Sequence, residues 1–441
     1  MSYLKKIISM YKEGIQRGIY SVCSANEFVI EALFEFNLNK DMHVLIESTA
    51  NQVNQYGGYT GMTPQDFKNY IFTIAKRVGF PQQRIILGGD HLGPYPWRRE
   101  GAQAAMEKAK VLIEQCIKAG YCKLHIDTSM ILGDDEFIND EIIAQRTAIL
   151  IKHAEDFLNT LDNSTGKVQK PLYVIGSEVP TPGGIINNIK WGRETKHKAY
   201  PDYVNMMEVF NIEFIKNNIE RIWENIIALV VDSGADFDST NIYKYISNKN
   251  IINFKKYVCD KYPYLFFEAH STDYQPRSLL RKMKEDGFII LKVGPALTFA
   301  LREAVFMLNI LEKELMNYKN LNAQFSHFID ILVKTMQDEP EHWNCYYKDY
   351  AKNEIDVLIR YGFSDRCRYY FDKKTVKESF LKLINNINNN YVPQFLVSQF
   401  FNEYYIKMKE ENIEKFKAEE VIKYRIKKVL EDYYYAISDC N

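Results

Sequence analysis

Eight apolar runs of strand type, each followed by a segment with helical spacing, occupy the chain from Ile19 to Val293. They are Ile19–Ala25, Met42–Ser48, Arg84–Asp90, Cys122–Asp127, Leu172–Glu178, Ile226–Asp232, Tyr264–His270 and Phe288–Val293. Strict strand–helix alternation calls for a parallel sheet covered by helices, and eight units are the number that closes a barrel. The expected fold class is therefore α/β, a (β/α)8 TIM barrel. The competing arrangement, an open doubly wound sheet, is disfavoured because no G-x-G-x-x-G turn follows the first strand.

Helix starts agree with this reading. Asn26 is placed to cap the run Phe28–Phe34, Thr63-Pro-Gln-Asp66 opens the next helix with proline in its first turn, and Glu100–Ala119 carries apolar residues at helical spacing. From about Lys313 the alternation stops, and the remainder is helical in pattern and rich in Tyr, Phe, Lys and Asn. The expected organisation is a barrel over residues 1–312 and a helical extension over 313–441 packed on it. The boundary is soft, because Ala296–Tyr318 crosses it without a Pro/Gly linker.

Composition narrows the function classes. With 441 residues, 46% of them hydrophobic, and 56 basic against 57 acidic side chains, the chain can bury a large core and has no charge excess to attract nucleic acid. The start, Met1–Ile8, reads as an amphipathic helix, and no apolar window is long enough to span a membrane, so a cytoplasmic protein is expected. Its seven cysteines are scattered without a C-x-x-C pair, which directs any metal towards His and carboxylate ligands.

The ends of the eight runs are polar. In order they carry Ser24 and Asn26, Glu47, Asp90 and His91, Asp127, Glu178, Asp232, Glu268 and His270, and Lys292. A single Asp at a strand end commonly caps the next helix, but an ionisable group at most ends is the pattern of a barrel active site built from several strands. Period two places Lys123, His125 and Asp127 on one face of the fourth run, and Glu268 with His270 on one face of the seventh. The loop Asn51-Gln-Val-Asn-Gln-Tyr-Gly-Gly-Tyr-Thr-Gly61 combines amides with glycines, which makes Asn51, Gln52 and Gln55 candidate contacts to a polyhydroxylated ligand. Asn26, Glu47, His125, Ser271, Asp273 and Lys292 are the further candidate substrate contacts. Val179-Pro-Thr-Pro-Gly-Gly184 is a candidate lid, and Ser364-Asp-Arg-Cys-Arg-Tyr-Tyr370 is either an internal ion-pair network or a binding site for phosphate or a subunit.

The best converging donors for a catalytic divalent metal are His91, Glu178 and His270, with Asp127 a possible fourth. Zn²⁺ is the first expectation, and Mn²⁺, Co²⁺ or Ni²⁺ also suit these donors. His125, one step back from its strand end, is a structural or substrate-contacting group. Asp90 and Asp127 are the candidate acid/base pair. Carboxylates beside a Lewis-acidic cation suit aldol cleavage, isomerisation or epimerisation of a ketose. Lys292 as a Schiff-base nucleophile is the weaker option.

Several long motifs occur in a recognisable order. They are Gly88-Gly-Asp-His-Leu-Gly-Pro94, Lys123-Leu-His-Ile-Asp-Thr-Ser-Met130, Ile175-Gly-Ser-Glu-Val-Pro-Thr-Pro-Gly-Gly184, Phe267-Glu-Ala-His-Ser-Thr-Asp-Tyr-Gln275, Val293-Gly-Pro-Ala-Leu-Thr-Phe-Ala-Leu-Arg-Glu303 and Ser364–Tyr370. With Ser21–Asn26 and Glu47–Gly61 they resemble the tagatose-1,6-bisphosphate aldolase Z-subunit family (GatZ/KbaZ type) over nearly the whole chain. The resemblance implies one of two roles. One is a metal-dependent 4-epimerase of tagatose, fructose or their 6-phosphates; the other is a non-catalytic subunit supporting a separate class II aldolase subunit. A homo-oligomer is compatible with either. By distant similarity to class II aldolases, Asp90 would be the acid/base and His91 a ligand. The sixth run departs from those aldolases: it carries Val230-Val-Asp-Ser-Gly-Ala235 where they place a further metal-binding His.

Overall fold

The computed structural model describes residues 2–161, 170–176, 199–262, 264–321 and 324–438. In chain order the first elements are α1 (Tyr3–Lys12), β1 (Ile19–Val22), α2 (Glu27–Asn37), β2 (Val44–Thr49), α3 (Pro64–Val78), β3 (Ile85–Leu92), α4 (Ala102–Ala119), β4 (Lys123–Ile126), α5 (Asp140–Thr160) and β5 (Leu172–Ile175). They continue with α6 (Tyr200–Lys216), β6 (Ile226–Val230), the two-residue strands β7 (Asp236–Phe237) and β8 (Ile242–Tyr243), α7 (Lys249–Lys261), β9 (Phe266–Ala269), α8 (Arg277–Glu285) and β10 (Phe288–Val293).

The barrel is closed, in the order β1-β10-β9-β6-β5-β4-β3-β2, and each neighbouring pair is parallel. Its eight strands are the eight apolar runs. Most end earlier than expected: Gly176 turns into the left-handed region at φ 87° and stops β5, and Asp127, Asp232 and His270 follow their strands, whereas Glu47, Asp90, His91, Glu268 and Lys292 lie within theirs. The antiparallel pair β7–β8 is an insertion between β6 and β9 that the alternation did not announce.

Strand alternation divides the barrel into an outer and an inner set. Leu124, Ile126, Tyr173 and Ile175 join the cluster under the surrounding helices. Ile19, Leu45, Ile86, Val174, Phe266 and Ile290 form a separate apolar cluster with Leu4, Ile7, Ile8 and Tyr11 of α1, which plugs one end. The polar residues occupy the other end.

Six further helices follow: α9 (Pro295–Lys319), α10 (Phe328–Asp338), α11 (Lys352–Tyr361), α12 (Lys374–Asn388), α13 (Gln394–Phe400) and α14 (Asn402–Glu410), before the last, α15 (Ala418–Ile437). Two observations bear on the 312/313 division. Helix α9 runs through it unbroken, and α15 packs against α2, α8, α9 and β1, so it stands in the helical wall between the first and seventh barrel units. Among the described residues no helix is long and apolar enough to cross a membrane.

Candidate metal centre at the barrel mouth

Asp90 and His91 would point to opposite sides of an ideal strand. The ladder between β3 and β4 slips between Gly89 and Leu92, which face Leu124 and Ile126, so β3 carries one extra residue there. His91 adopts φ 49°, a left-handed backbone unusual outside glycine. This bulge turns both side chains into the mouth. Ser271 and Tyr274, after β9, also have positive φ, which gathers backbone strain around the same opening.

Three imidazoles meet there. The ring centres of His91, His125 and His270 lie 5.0, 5.0 and 5.1 Å apart. Three histidine nitrogens at about 2.0–2.1 Å from one ion would set their rings about 5 Å apart. The outer partners also suit ligation, since a ligating His commonly gives its second nitrogen to a carboxylate or carbonyl. His91 Nδ1 is 2.8 Å from Asp127 Oδ2, and Nε2 lies on the side of Asp90 Oδ2 at 3.7 Å. His125 Nε2 meets the Gly176 carbonyl at 2.9 Å, leaving Nδ1 2.9 Å from Asp90 Oδ1. Single donor atoms of Asp90, His125, Glu268 and His270 all lie within 4.8 Å of one another, so the donor set fits a divalent cation.

Beneath the histidines is an ionic floor. Lys123 Nζ is 2.6 Å from Glu47 Oε1 and 2.6 Å from Glu268 Oε2, and all three side chains are 0% exposed. Lys292 reaches Glu47 Oε2 at 3.3 Å and Glu268 Oε1 at 3.1 Å, and it also contacts Asp90. Burial alone would strip the Lys292 charge, but Asp90, Glu268 and Glu47 outweigh it and hold the ammonium well above its ordinary value. A lysine kept charged in this way is a poor Schiff-base nucleophile.

The other groups shift for similar reasons. Burial would raise Asp90, yet His91, Lys292 and His125 hold it well below the usual carboxylate range, so it is ionised. Burial would likewise raise Asp127, but the His91 contact brings it down to about 2. For His91, burial works against protonation and the two aspartates overcome it. Burial and the Lys292 charge push His270 down to about 3, the neutral form a metal requires.

The sequence candidates separate into layers. Asn26, Asn51, Gln52, Asp90, His91, Asp127, His270, Ser271, Asp273 and Lys292 all line one cavity of about 250 Å³ at the mouth. Glu47 and His125 lie beneath it, 0% exposed, as partners of Lys123 and Asp90. Gln55 turns away and donates to the Lys108 carbonyl. Asp127 contacts His91 Nδ1 through Oδ2 and accepts from Ser129 N–H and Oγ–H through Oδ1, an arrangement that orients the His91 ring. Glu178 and Val179–Gly184 lie outside the described residues. Three further participants carry no assigned role in the sequence reading. They are Cys23, whose thiol is 3.8 Å from Asp90 Oδ2, and Lys123 and Glu268, which period two places on the polar faces of the fourth and seventh runs. The segment Ser364–Tyr370 roofs the cavity, contributing Arg366, Arg368 and Tyr369.

Comparison with known proteins gives consistent matches. Residues 4–438 match the model of the D-tagatose-1,6-bisphosphate aldolase subunit GatZ/KbaZ-like family. The chain is 43% identical over 400 residues to the D-tagatose-1,6-bisphosphate aldolase subunits GatZ of Salmonella heidelberg (strain SL476) and Salmonella agona (strain SL483), covering 90% of each chain. A crystal structure described as a probable tagatose 6 phosphate kinase from Sinorhizobium meliloti 1021 superposes with a TM-score of 0.83 at 33% identity, covering 95% of this chain and 100% of that one.

Proposed function

Because the chain belongs to the GatZ/KbaZ-like family of D-tagatose-1,6-bisphosphate aldolase subunits, we propose that it acts at C4 of a ketohexose or ketohexose phosphate. Epimerisation of tagatose and fructose, or of their 6-phosphates, is the reaction that best uses the groups at the mouth. The observation that carries this is the bulge in β3, which brings Asp90 and His91 together beside His125 and His270.

His91 and His270 would hold a divalent ion of the Zn²⁺, Mn²⁺, Co²⁺ or Ni²⁺ type, with Glu178 proposed from sequence as a third ligand and His125 and Asp90 adjacent. Bound there, the ion would supply Lewis acidity to the ketose carbonyl and an adjacent hydroxyl. Asp127 fixes the His91 ring through its 2.8 Å contact. Asp90, ionised, accepts the proton of the C4 hydroxyl, and the C3–C4 bond breaks by retro-aldol cleavage. The aldehyde rotates, C3 adds back to its opposite face to re-form the C3–C4 bond, and Asp90 returns the proton to the C4 oxygen, which completes the inversion. Lys292 compensates the charge of Asp90 through this cycle. Direct deprotonation and reprotonation by two bases would give the same product.

A second reading has its own support. The relatives at 43% identity are named as subunits, and that name fits a stabilising partner of a separate aldolase subunit better than it fits an epimerase. The test uses the chain purified alone: bound metal is measured, then fructose, tagatose and their 6-phosphates are incubated with Zn²⁺, Mn²⁺ or Ni²⁺, with and without EDTA. Metal-dependent interconversion supports the enzyme. No interconversion, together with activation of an added class II aldolase subunit, supports the partner role.

A further inference from the structure

The donor atoms at the mouth fall into two groups that share one residue. One comprises Asp90, His125, Glu268 and His270; the other comprises Cys23, Glu47 and Asp90, again with single donor atoms all within 4.8 Å of one another. The second group comes from consecutive barrel strands: Cys23 follows β1 directly, Glu47 lies in β2 and Asp90 in β3. A carboxylate common to two donor groups is the framework of a centre that holds two divalent ions about 3.5–4 Å apart.

In this chain the second position already carries a cation. β10 pairs with β1 and sets Lys292 opposite Ser21, while the Cys23 N–H donates to the Val293 carbonyl at 2.9 Å, so Lys292 and Cys23 stand on adjacent strands. The Lys292 ammonium contacts Asp90 and lies 3.3 Å from Glu47 Oε2 and 3.1 Å from Glu268 Oε1, which links the two groups. Glu47 Oε1 accepts from Lys123, whereas Oε2 is buried, accepts no hydrogen bond and faces the Lys292 charge. Three carboxylates, Glu47, Asp90 and Glu268, thus meet two ammonium groups, Lys123 and Lys292, and none of the five side chains is more than 6% exposed. That balance is one charge negative, and a single divalent ion at the histidines more than offsets it. A second divalent ion would stand against Lys292 in a buried site, where repulsion between like charges is poorly screened.

We propose that Lys292 stands in for a second metal ion, limiting the centre to one divalent cation and supplying the second positive pole as a fixed ammonium. This rests on the reading of the mouth as a metal centre and deepens it by setting the number of ions. The two kinds of pole differ chemically. An ammonium has no open coordination position, so it donates hydrogen bonds to an oxygen but cannot take that oxygen as a ligand. It also stays in place when a chelator removes the divalent ion, so the carboxylates remain compensated in the metal-free chain.

The experiment titrates the full chain with Co²⁺ and Zn²⁺ and counts bound ions after gel filtration, for wild type and for Lys292→Arg, Lys292→Met and Lys292→Gln. Wild type and Lys292→Arg are expected to saturate at about one ion per chain, and the two neutral variants at about two. The second Co²⁺ should bring thiolate-to-metal charge-transfer absorption, because coordination deprotonates Cys23, and Lys292→Met/Cys23→Ser should lack that band. Lys292→Gln answers the question where Lys292→Met does not fold. Two ions on wild type overturn the proposal whatever the variants do, as does a second ion on Lys292→Arg. One ion on wild type and one on a folded neutral variant overturn it while leaving the metal centre standing. No ion on wild type rejects the centre and the proposal together.

Discussion

Lys123→Met tests whether the ionic floor supports the site. Lys123 Nζ bridges Glu47 and Glu268 at 2.6 Å each, and all three side chains are 0% exposed. Methionine approximates the length of the lysine stem, so the packing change is small and the electrostatic change dominates. Removing one partner of a buried ion pair costs about 3–5 kcal/mol, because the other charge stays buried without compensation. Here two carboxylates are affected, while Lys292 still reaches both. That second lysine holds the expected loss near the lower end, about 3 kcal/mol. The assay is denaturant unfolding in EDTA, with Lys123→Met compared against Lys123→Met/Glu268→Gln. Neutralising Glu268 should recover at least about 1 kcal/mol of the loss by removing an uncompensated charge. A single variant within about 0.5 kcal/mol of wild type, or a double variant less stable than the single one, would refute the reasoning.

Asp127→Asn keeps the shape of the His91 partner but weakens its orienting hold, so metal affinity should fall about 10- to 100-fold in a chelator competition. Asp90→Asn should abolish interconversion while metal content stays near normal; loss of metal would make Asp90 a ligand. Gly93→Ala places a Cβ 1.9 Å from the Asp127 carbonyl oxygen, so the tips of β3 and β4 must separate, and both folding yield and metal binding should drop. Burial raises Asp273 from 3.8 to about 6, against the pull of the Ala296 and Gly294 amides. A raised carboxyl binds its proton more tightly when folded, so its stabilising contribution is complete below pH 3.8 and lost as pH rises through about 6. Relative to Asp273→Asn, the wild type should therefore lose about 1.4 kcal/mol between pH 5 and pH 7.5, read as unfolding free energies.

The barrel was legible because each strand is an apolar run and each connection has helical spacing, and those local patterns survive without tertiary information. Strand ends were read too long, since Glu178 and Asp232 continue the run in composition after β5 and β6 have left the ladder at Ile175 and Val230. The insertion β7–β8 was missed because two residues per strand are too few to alternate. Period two alone would send Asp90 and His91 to opposite faces, and the bulge in β3 is what brings them together. Which charge pairs with which was not readable. Lys123 and Glu268 are brought together only by barrel closure, and the stacking of Tyr59 on Tyr369, with ring centres 5.3 Å apart, depends on where the C-terminal helices dock.

We propose that the histidines at the barrel mouth hold a catalytic metal. Metal analysis of the purified chain beside His91→Ala and His270→Ala, each first loaded with Zn²⁺ and then gel-filtered, addresses it directly. The expected result is about one ion per wild-type chain and a large loss in both variants, whose unfolding curves in EDTA stay close to that of wild type. A wild-type chain that retains no ion, or variants that retain as much as wild type, would contradict it.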